Sequence, residues 1–476
     1  MPPGAITVVK LLLMLSIIRC RAVNQTTGLK YKWTRGWLSR ASIKLCEYSS
    51  QDSTKLLQSE EIDVWHFHSN AVELCTIMNN DELEDRYHLY NCTATKQLVE
   101  LVNLENVKER KWPEHSINLR ATSATSNQNN SNSKSADSVL SEDWFTSNHN
   151  LSEIEGWYKT LAAKHSDLVF INESIGVTHR KKNIFAVHIG YGKKPSNRPK
   201  IYLQCLLHAR EWISGPVCMY ISFYLVRESE KKQVKKLLTE LEFILVPVGN
   251  PDGYALTWFR YPQYRYWRKN LAEYNDTNCV GVDLNRNFDA HWNESGTSSN
   301  PCYATFGGRH AHSEPEVRAI SAYILNHRPV YGAVDFHSYG QYVLHPYGWT
   351  SNPPVYAKRL DSIVTSLSDH IKKVNGTMYS PQSMGSVYLA SGTFGDWAYK
   401  DEVAAQNVDS KNQSCYYIVP ITIEMRPQFG TKLTSGFLVD PKNILPACLE
   451  VVPVVKQFSK KLLKKPLKFS KKLMMK

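Results

Sequence analysis

Past residue 22 the chain has no apolar run long enough to cross a bilayer, which takes about 20 residues. It has no internal repeat, so stacked-repeat architectures are excluded. No glycine-rich loop follows a strand, so the usual phosphate cradle of nucleotide-binding proteins is missing. No Cys-x-x-Cys pair occurs, which removes thioredoxin-like redox chemistry and paired-cysteine zinc sites. Strong positive charge is missing from most of the chain as well. The net charge is +13, but nine lysines between Lys456 and Lys476 carry much of it, and the remainder stands near +4. A body this close to balance has no basic footprint for a nucleic acid.

What is present points to the secretory pathway. Lys10 precedes a largely apolar stretch from Leu11 to Ile18, followed by Arg19-Cys20-Arg21-Ala22. That stretch is too short to span. With small residues at Cys20 and Ala22 it reads as a signal peptide over residues 1–22, cut near Val23. Nine Asn-x-Ser/Thr sequons agree, at Asn24, Asn91, Asn129, Asn150, Asn172, Asn275, Asn293, Asn375 and Asn412. Ten cysteines, one of them in the leader, leave an odd number, so at least one has no partner within the chain. The expected product is extracellular, soluble and monomeric.

At 476 residues the chain is long enough for two domains. Residues 23–120 read as the first, a small α+β unit. Its expected strands are Lys30–Trp33, Ser42–Glu47 and Ile62–His66; its expected helices are Asn70–Met78 and Thr95–Val102. Residues 121–141 open on a Ser/Asn/Thr run with no apolar periodicity, a linker suited to proteolysis, with Arg120 and Lys134 as basic cleavage positions. From residue 142 to 456 strands and helices alternate. Expected helices are Leu151–His165, Gly215–Arg227, Glu314–Asn326 and Val355–Lys373. Expected strands are Ile184–Ile189, Lys200–Leu207, Leu241–Val248, Gly332–His337 and Tyr417–Glu424, with a turn at Asn250-Pro251-Asp252-Gly253. This alternation predicts an α/β sheet with helices on both faces, whose sites collect at the carboxyl ends of strands.

One stretch at such an end carries chemistry: Leu206-Leu207-His208-Ala209-Arg210-Glu211-Trp212. A histidine and a carboxylate three apart can turn onto one metal ion. Spacing alone decides little. With 16 His and 44 acids in 476 residues, His-x-x-acid arises by chance once or twice per chain. His291 and Glu294 are such a pair, in a polar loop with a sequon, and read as surface. His208 and Glu211 have company: His337 in Asp335-Phe336-His337-Ser338-Tyr339, and Glu424 after the apolar Ile418–Ile423, both at strand ends. Three protein ligands and an open position make a catalytic zinc site. A desolvated carboxylate beside it suits a general base, although Glu424 also reads as a salt-bridge partner of Arg426. Arg268 and Arg286 offer guanidinium groups for a carboxylate or an oxyanion.

The segments His208-Ala209-Arg210-Glu211-Trp212, Val282-Asp283-Leu284-Asn285-Arg286-Asn287, Phe336-His337-Ser338-Tyr339-Gly340-Gln341 and Thr422-Ile423-Glu424 resemble the signature segments of the zinc metallocarboxypeptidases, A/B subfamily. The resemblance covers about residues 142–456, in order. More faintly, the first unit, with Glu61-Ile62-Asp63-Val64-Trp65, resembles that family's activation prodomain. The resemblance implies a mixed parallel/antiparallel central sheet flanked by helices, preceded by an open-sandwich prodomain. It implies one zinc per chain, held by His208, Glu211 and His337, the His₂Glu set of carboxypeptidase A. It implies that Glu424 activates water and Arg268 stabilises the oxyanion. Asn285, Arg286 and Tyr388 would hold the terminal carboxylate of a peptide or protein substrate, with Arg210 and Tyr339 as further substrate contacts. Cys279 and Cys302 resemble the family's disulfide, and an activating protease is an implied partner.

The resemblance also implies that Gly395 lies at the base of the side-chain pocket, among Leu344, Gly348, Ala390 and Thr422. A roomy uncharged pocket favours aromatic or large aliphatic C-terminal residues. Asp396 is adjacent, but the family carries an acid there whatever its specificity. Residues 457–476 extend past the family's usual end as a Lys-rich tail. It reads either as a ligand for anionic matrix polysaccharide or a membrane surface or as a solvated, disordered end, and Pro466 argues against one continuous amphipathic helix. A catalytically dead relative that binds peptides or matrix is the rival class, but no motif residue is missing. An intracellular regulatory relative conflicts with the leader and the sequons.

Overall fold

The computed structural model describes residues 42–48, 62–67, 71–76, 89–97, 140–192, 196–259, 264–428 and 436–469, the first four segments as backbone. Those four are strands: β1 Ser42–Tyr48, β2 Ile62–Phe67, β3 Ala71–Thr76 and β4 Leu89–Gln97. They form an antiparallel sheet in the order β2-β3-β1-β4. Two expectations are corrected here. The helix expected at Asn70–Met78 is strand β3. Its six residues Ala-Val-Glu-Leu-Cys-Thr carry no decisive period, and it pairs on both sides, with β1 and β2. The helix expected at Thr95–Val102 begins inside β4, and its remainder lies outside the described residues, as does the strand expected at Lys30–Trp33.

The larger unit runs in chain order through α1 Leu151–Lys164, β5 Val169–Val177, β6 Asn183–Ile189, β7 Lys200–Cys205, α2 Ser214–Arg227, α3 Lys232–Glu240, β8 Glu242–Val246, α4 Pro251–Trp258, α5 Pro315–Asn326, β9 Val330–Gly340, β10 Tyr342–His345, α6 Ala357–Asn375, β11 Ser380–Ser383, α7 Met384–Val387, α8 Phe394–Ala398, α9 Asp401–Gln406, β12 Val408–Asp409, β13 Ser414–Cys415, β14 Val419–Gln428 and α10 Ile444–Lys464. Eight strands form one mixed sheet, ordered β11-β10-β14-β9-β7-β8-β6-β5. The central strands β14, β9, β7 and β8 run parallel, and antiparallel pairings flank them. This is the mixed α/β sheet the motifs imply.

Both faces of the sheet are covered, and the strands show it residue by residue. In β6, Phe185 and Val187 pack with α1, α2, α6 and α10, while Ile184 and Ala186 pack with α5 and α8. In β8, Phe243 and Leu245 split from Ile244 and Val246 in the same way. Strands buried on both sides read as continuous apolar runs, as β7, β8 and β9 do.

Some elements escaped the sequence. Strand β5 is half exposed, and its polar positions hide the alternation. Asn250-Pro251-Asp252-Gly253 starts a helix rather than a turn. Asn250 caps α4 by accepting from the Gly253 amide at 2.9 Å, and Pro251 takes the first helical position. The sequon residue Asn150 is likewise engaged as a cap, exchanging 3.0 Å bonds with Glu153 at the start of α1.

The Lys-rich segment begins as helix. The boundary drawn at residue 456 falls inside α10, which runs to Lys464. Val451, Val455, Phe458 and Leu462 continue one buried stripe, so residues 457–464 are folded onto the core. A Cβ at Gly332 of β9 would collide with Leu462 and Phe458, so this helix packs directly on the strand that carries His337. Beyond it Leu467 and Phe469 are also buried, and Lys468 bridges Tyr416. The solvated, disordered alternative does not hold for residues 457–469. Pro466 stands just past the helix end, where it cannot continue a helix.

Candidate metal centre and substrate cleft

The three central strands β7, β9 and β14 end on one edge of the sheet, and the site is built there. Past Cys205 the chain turns sharply through Leu206, whose φ of 52° is rare for a branched residue and costs about 1–2 kcal/mol. The turn is held from several sides. The Gly249 and Asn250 amides donate to the Cys205 and Leu206 carbonyls at 2.9 and 3.0 Å. The Ser214 hydroxyl accepts from the Leu206 amide at 3.1 Å. A disulfide joins Cys205 to Cys218 in α2. The loop carrying His208 and Glu211 is thus tied at both ends. His337 comes from β9 and stands opposite Glu424 of β14 in register.

His208, Glu211 and His337 converge. His208 Nδ1 and His337 Nδ1 are 3.1 Å apart, and each is 2.8 Å from a Glu211 oxygen. The other nitrogens face carboxylates: His208 Nε2 bonds Asp283 Oδ1 at 3.0 Å, and His337 Nε2 lies 2.8 Å from Asp335 Oδ2. Those carboxylates favour the proton on Nε2, which leaves the two Nδ1 lone pairs facing inward. Two lone pairs and a carboxylate at these separations need positive charge between them. Ligands of one zinc ion stand roughly 3–3.5 Å apart, so the donor set fits. Burial works to raise Glu211, but the two imidazoles outweigh it and hold the carboxyl well below its usual range.

The charged residues around this point are braced by their neighbours. Arg268 donates through Nε and Nη2 to Asp283 Oδ2 at 2.9 and 2.8 Å, and its Nη1 lies 3.7 Å from Glu211. Arg286 donates to the carbonyls of Gly296 and Asn285, and its Nη2 bonds nothing among the described residues. Asn285 Oδ1 accepts from the Phe394 amide at 2.8 Å, and Nδ2 stands 3.2 Å from His337. The Glu424 carboxylate makes no hydrogen bond among the described residues. Burial pushes its carboxyl up to about 8, against the pull of His337 and Arg268. The salt bridge to Arg426 does not form. Arg426 pairs with Glu450 of α10 instead and donates to Asn443 at 3.1 Å. Tyr388 follows the short helix α7. Burial raises its phenol, which also lies in the field of Glu424, Arg286 and Arg268.

Two expected substrate contacts sit together at one side. The Arg210 guanidinium lies 4.1 Å over the Phe437 ring, which meets Tyr339 edge-on at 5.0 Å. Gly395 opens α8, and a Cβ there would meet nothing nearer than Thr422 Oγ1 at 3.9 Å. The Asp396 carboxylate is engaged by the amides of Gly348, at 2.9 Å, and Trp349, at 2.9 Å. Cys279 and Cys302 are bonded, while Cys415 and Cys448 are unpaired among the described residues. The decoy pair is on the surface: His291 bonds Glu294 at 3.0 Å and stacks on Trp349.

A family profile described as Zinc carboxypeptidase matches residues 154–453. The chain belongs to the zinc carboxypeptidase family. Its relatives carry both subfamily names. It is 32% identical over 311 residues to "Carboxypeptidase B" of Bos taurus, covering 65% of this chain and 69% of that one. It is 35% identical over 300 residues to "Zinc carboxypeptidase A 1" of Anopheles gambiae, covering 63% and 64%. In fold it resembles crystalline thrombin activatable fibrinolysis inhibitor, with a TM-score of 0.71 at 21% identity over 90% of this chain and 100% of that one. As a zinc carboxypeptidase the chain is a metal-dependent hydrolase, and His208, Glu211 and His337 are a group that fits the zinc.

Asp283 and Asp335 were not singled out from the sequence, although both lie inside the quoted motifs. Their signal was a carboxylate one or two residues from a site residue, the usual brace of a metal-bound imidazole. Phe437 had no signal at all. Among the described residues no helix is long and apolar enough to cross a membrane.

Proposed function

We propose that the chain is secreted as a zymogen and removes aromatic or large aliphatic residues from the C-termini of peptides and proteins, with one zinc at the His208 centre. The observation that carries the specificity is the floor at Gly395. The space above it is open, and the acid beside it is occupied by backbone amides, so no charge is free to meet a lysine or arginine side chain. Peptides differing only in their last residue test this. Release of Phe, Leu, Tyr or Trp should be fastest, and faster release of Lys or Arg would overturn it.

Zinc bound there supplies a water of lowered pKa and polarises the scissile carbonyl. Glu424, free of other bonds, takes a proton from the attacking water on its carboxylate and passes it to the leaving amine. Positive charge at the neighbouring centre favours its ionised form. Arg268 Nη1 donates to the oxygen that gains charge, while Asp283 fixes the rest of the guanidinium. Arg286 Nη2, the Asn285 amide and the Tyr388 hydroxyl hold the terminal carboxylate; Arg210 and Tyr339 contact the residue before it. An internal peptide bond offers no anion to Arg286, which restricts cleavage to chain ends.

Secretion rests on the leader at residues 1–22 and the sequons. The zymogen form rests on the antiparallel unit that precedes the linker at residues 121–141, where an activating protease would cut. Lys464, Lys465 and Lys468 stand exposed past the buried stripe of α10, and Lys460 reaches Gln233 of α3. We assign this edge to anionic matrix polysaccharide. Retention on heparin should fall when Lys464, Lys465 and Lys468 become Gln, and unchanged retention would contradict it.

A further inference from the structure

A second group of metal-ligating side chains stands outside the His208 centre. One ligand atom from each of His179, Glu314 and Glu316 lies within 4.8 Å of the other two. His179 sits in the turn between β5 and β6, with a partly exposed side chain, and its Nε2 is 2.9 Å from Glu314 Oε2. Glu314 and Glu316 are buried at the start of α5. Asn270 Nδ2 donates to Glu314 Oε2 at 2.7 Å and to Glu316 Oε2 at 3.1 Å, holding the two carboxylates side by side. Ser313 donates to Glu314 Oε1 at 2.7 Å. The remaining oxygen, Glu316 Oε1, is buried and receives no hydrogen bond from another residue, and beyond Asn270 only the residue's own amide serves the carboxylate.

A protonated His179 would balance Glu314 but leaves Glu316 unmet. A helix start favours acidic side chains, but Glu314 makes no capping bond to α5. Adjacent buried carboxylates repel, and no lysine or arginine forms an ion pair with either among the described residues. The cluster therefore takes up either a proton or a cation.

We propose that His179, Glu314 and Glu316 form a second cation site, for a divalent ion of the zinc or manganese kind, which ties the β5–β6 turn to the start of α5. One imidazole with two carboxylates suits such ions. Calcium, which takes six to eight oxygens, fits the set less well. The exposed edge of His179 gives the ion a way in. The site is independent of the hydrolytic mechanism, so either reading can fail without the other.

The test counts metal in the full chain carrying His208→Ala and His337→Ala, which removes the first centre. After equilibration with Zn²⁺ and removal of the excess, one zinc per chain should remain. Adding His179→Ala or Glu316→Gln should abolish it, along with any zinc-dependent rise in melting temperature. In the native chain the same two substitutions should each lower the zinc content by one equivalent while peptide hydrolysis persists. His179→Ala lies on an exposed turn and serves alone if Glu316→Gln fails to fold. A chain lacking the first centre that binds neither Zn²⁺ nor Mn²⁺ would overturn the proposal. So would zinc content indifferent to His179 and Glu316; the cluster would then hold a proton.

Discussion

Two His-x-x-Glu pairs make the same local contact in this protein. His208 Nδ1 lies 2.8 Å from Glu211, and His291 Nδ1 lies 3.0 Å from Glu294. Their surroundings differ in every other respect. The His208 and Glu211 side chains are 5% and 4% exposed, whereas those of His291 and Glu294 are 40% and 54% exposed. Water satisfies the outer pair, which contributes about 0–1 kcal/mol as a surface ion pair. The inner pair has lost that water, so its charge must be met by protein or ion. His337, Asp283, Asp335 and Arg268 meet part of it, and their arrangement leaves three donor atoms aimed at one point. Burial and company, rather than spacing, single out the candidate metal site.

The comparison breaks most sharply by substitution within the inner pair. His208→Ala should lower kcat/KM by at least about 10⁴-fold, because both water activation and carbonyl polarisation go with the ion; His291→Ala should leave it within about twofold. Next comes Glu424→Gln, which keeps the ligands. It should cost about 10²–10⁴-fold in kcat with zinc content unchanged. Loss of zinc in that variant would move Glu424 from base to ligand support. Asp283→Asn is third. It loosens both His208 and Arg268, and a brace of this kind accounts for about 10–100-fold in metal affinity, measured by chelator competition.

A pH profile sharpens the same contrast. Burial raises Glu424 to about 8, and a cation at the centre would lower it. A raised carboxyl is protonated below its pKa, so the base is lost as pH falls. The acid limb of kcat/KM should have its midpoint at or below about 8 and be absent from the residual activity of Glu424→Gln. A limb that survives that substitution belongs to another group. The smallest effect is expected from Glu294→Gln, within about 0.5 kcal/mol of the native stability by denaturant unfolding.

Much of the catalytic unit was legible because its signals are local. The apolar runs of β7, β8 and β9 and the motifs at their ends are contiguous in the chain, and so they give the sheet and the candidate ligands and Glu424 at its strand ends. Residues 71–76 misled because six residues with small and polar members fit either period, and pairing with two neighbouring strands decided the outcome. The end of the chain misled because its lysines mask a stripe at Val451, Val455, Phe458 and Leu462 that matters only against Gly332. Whether Glu424 met Arg426 depended on Glu450, more than 20 residues further on, and no spacing rule shows such a partner. Asp283 and Asp335 read as motif filler until the imidazole nitrogens they face were on hand.

The most direct measurement is zinc bound per chain in three proteins side by side: native, Glu211→Gln and Glu294→Gln. Glu211→Gln should lose one equivalent and Glu294→Gln none. Equal zinc in all three, or a loss from Glu294→Gln, would contradict the assignment of the metal centre to the buried pair.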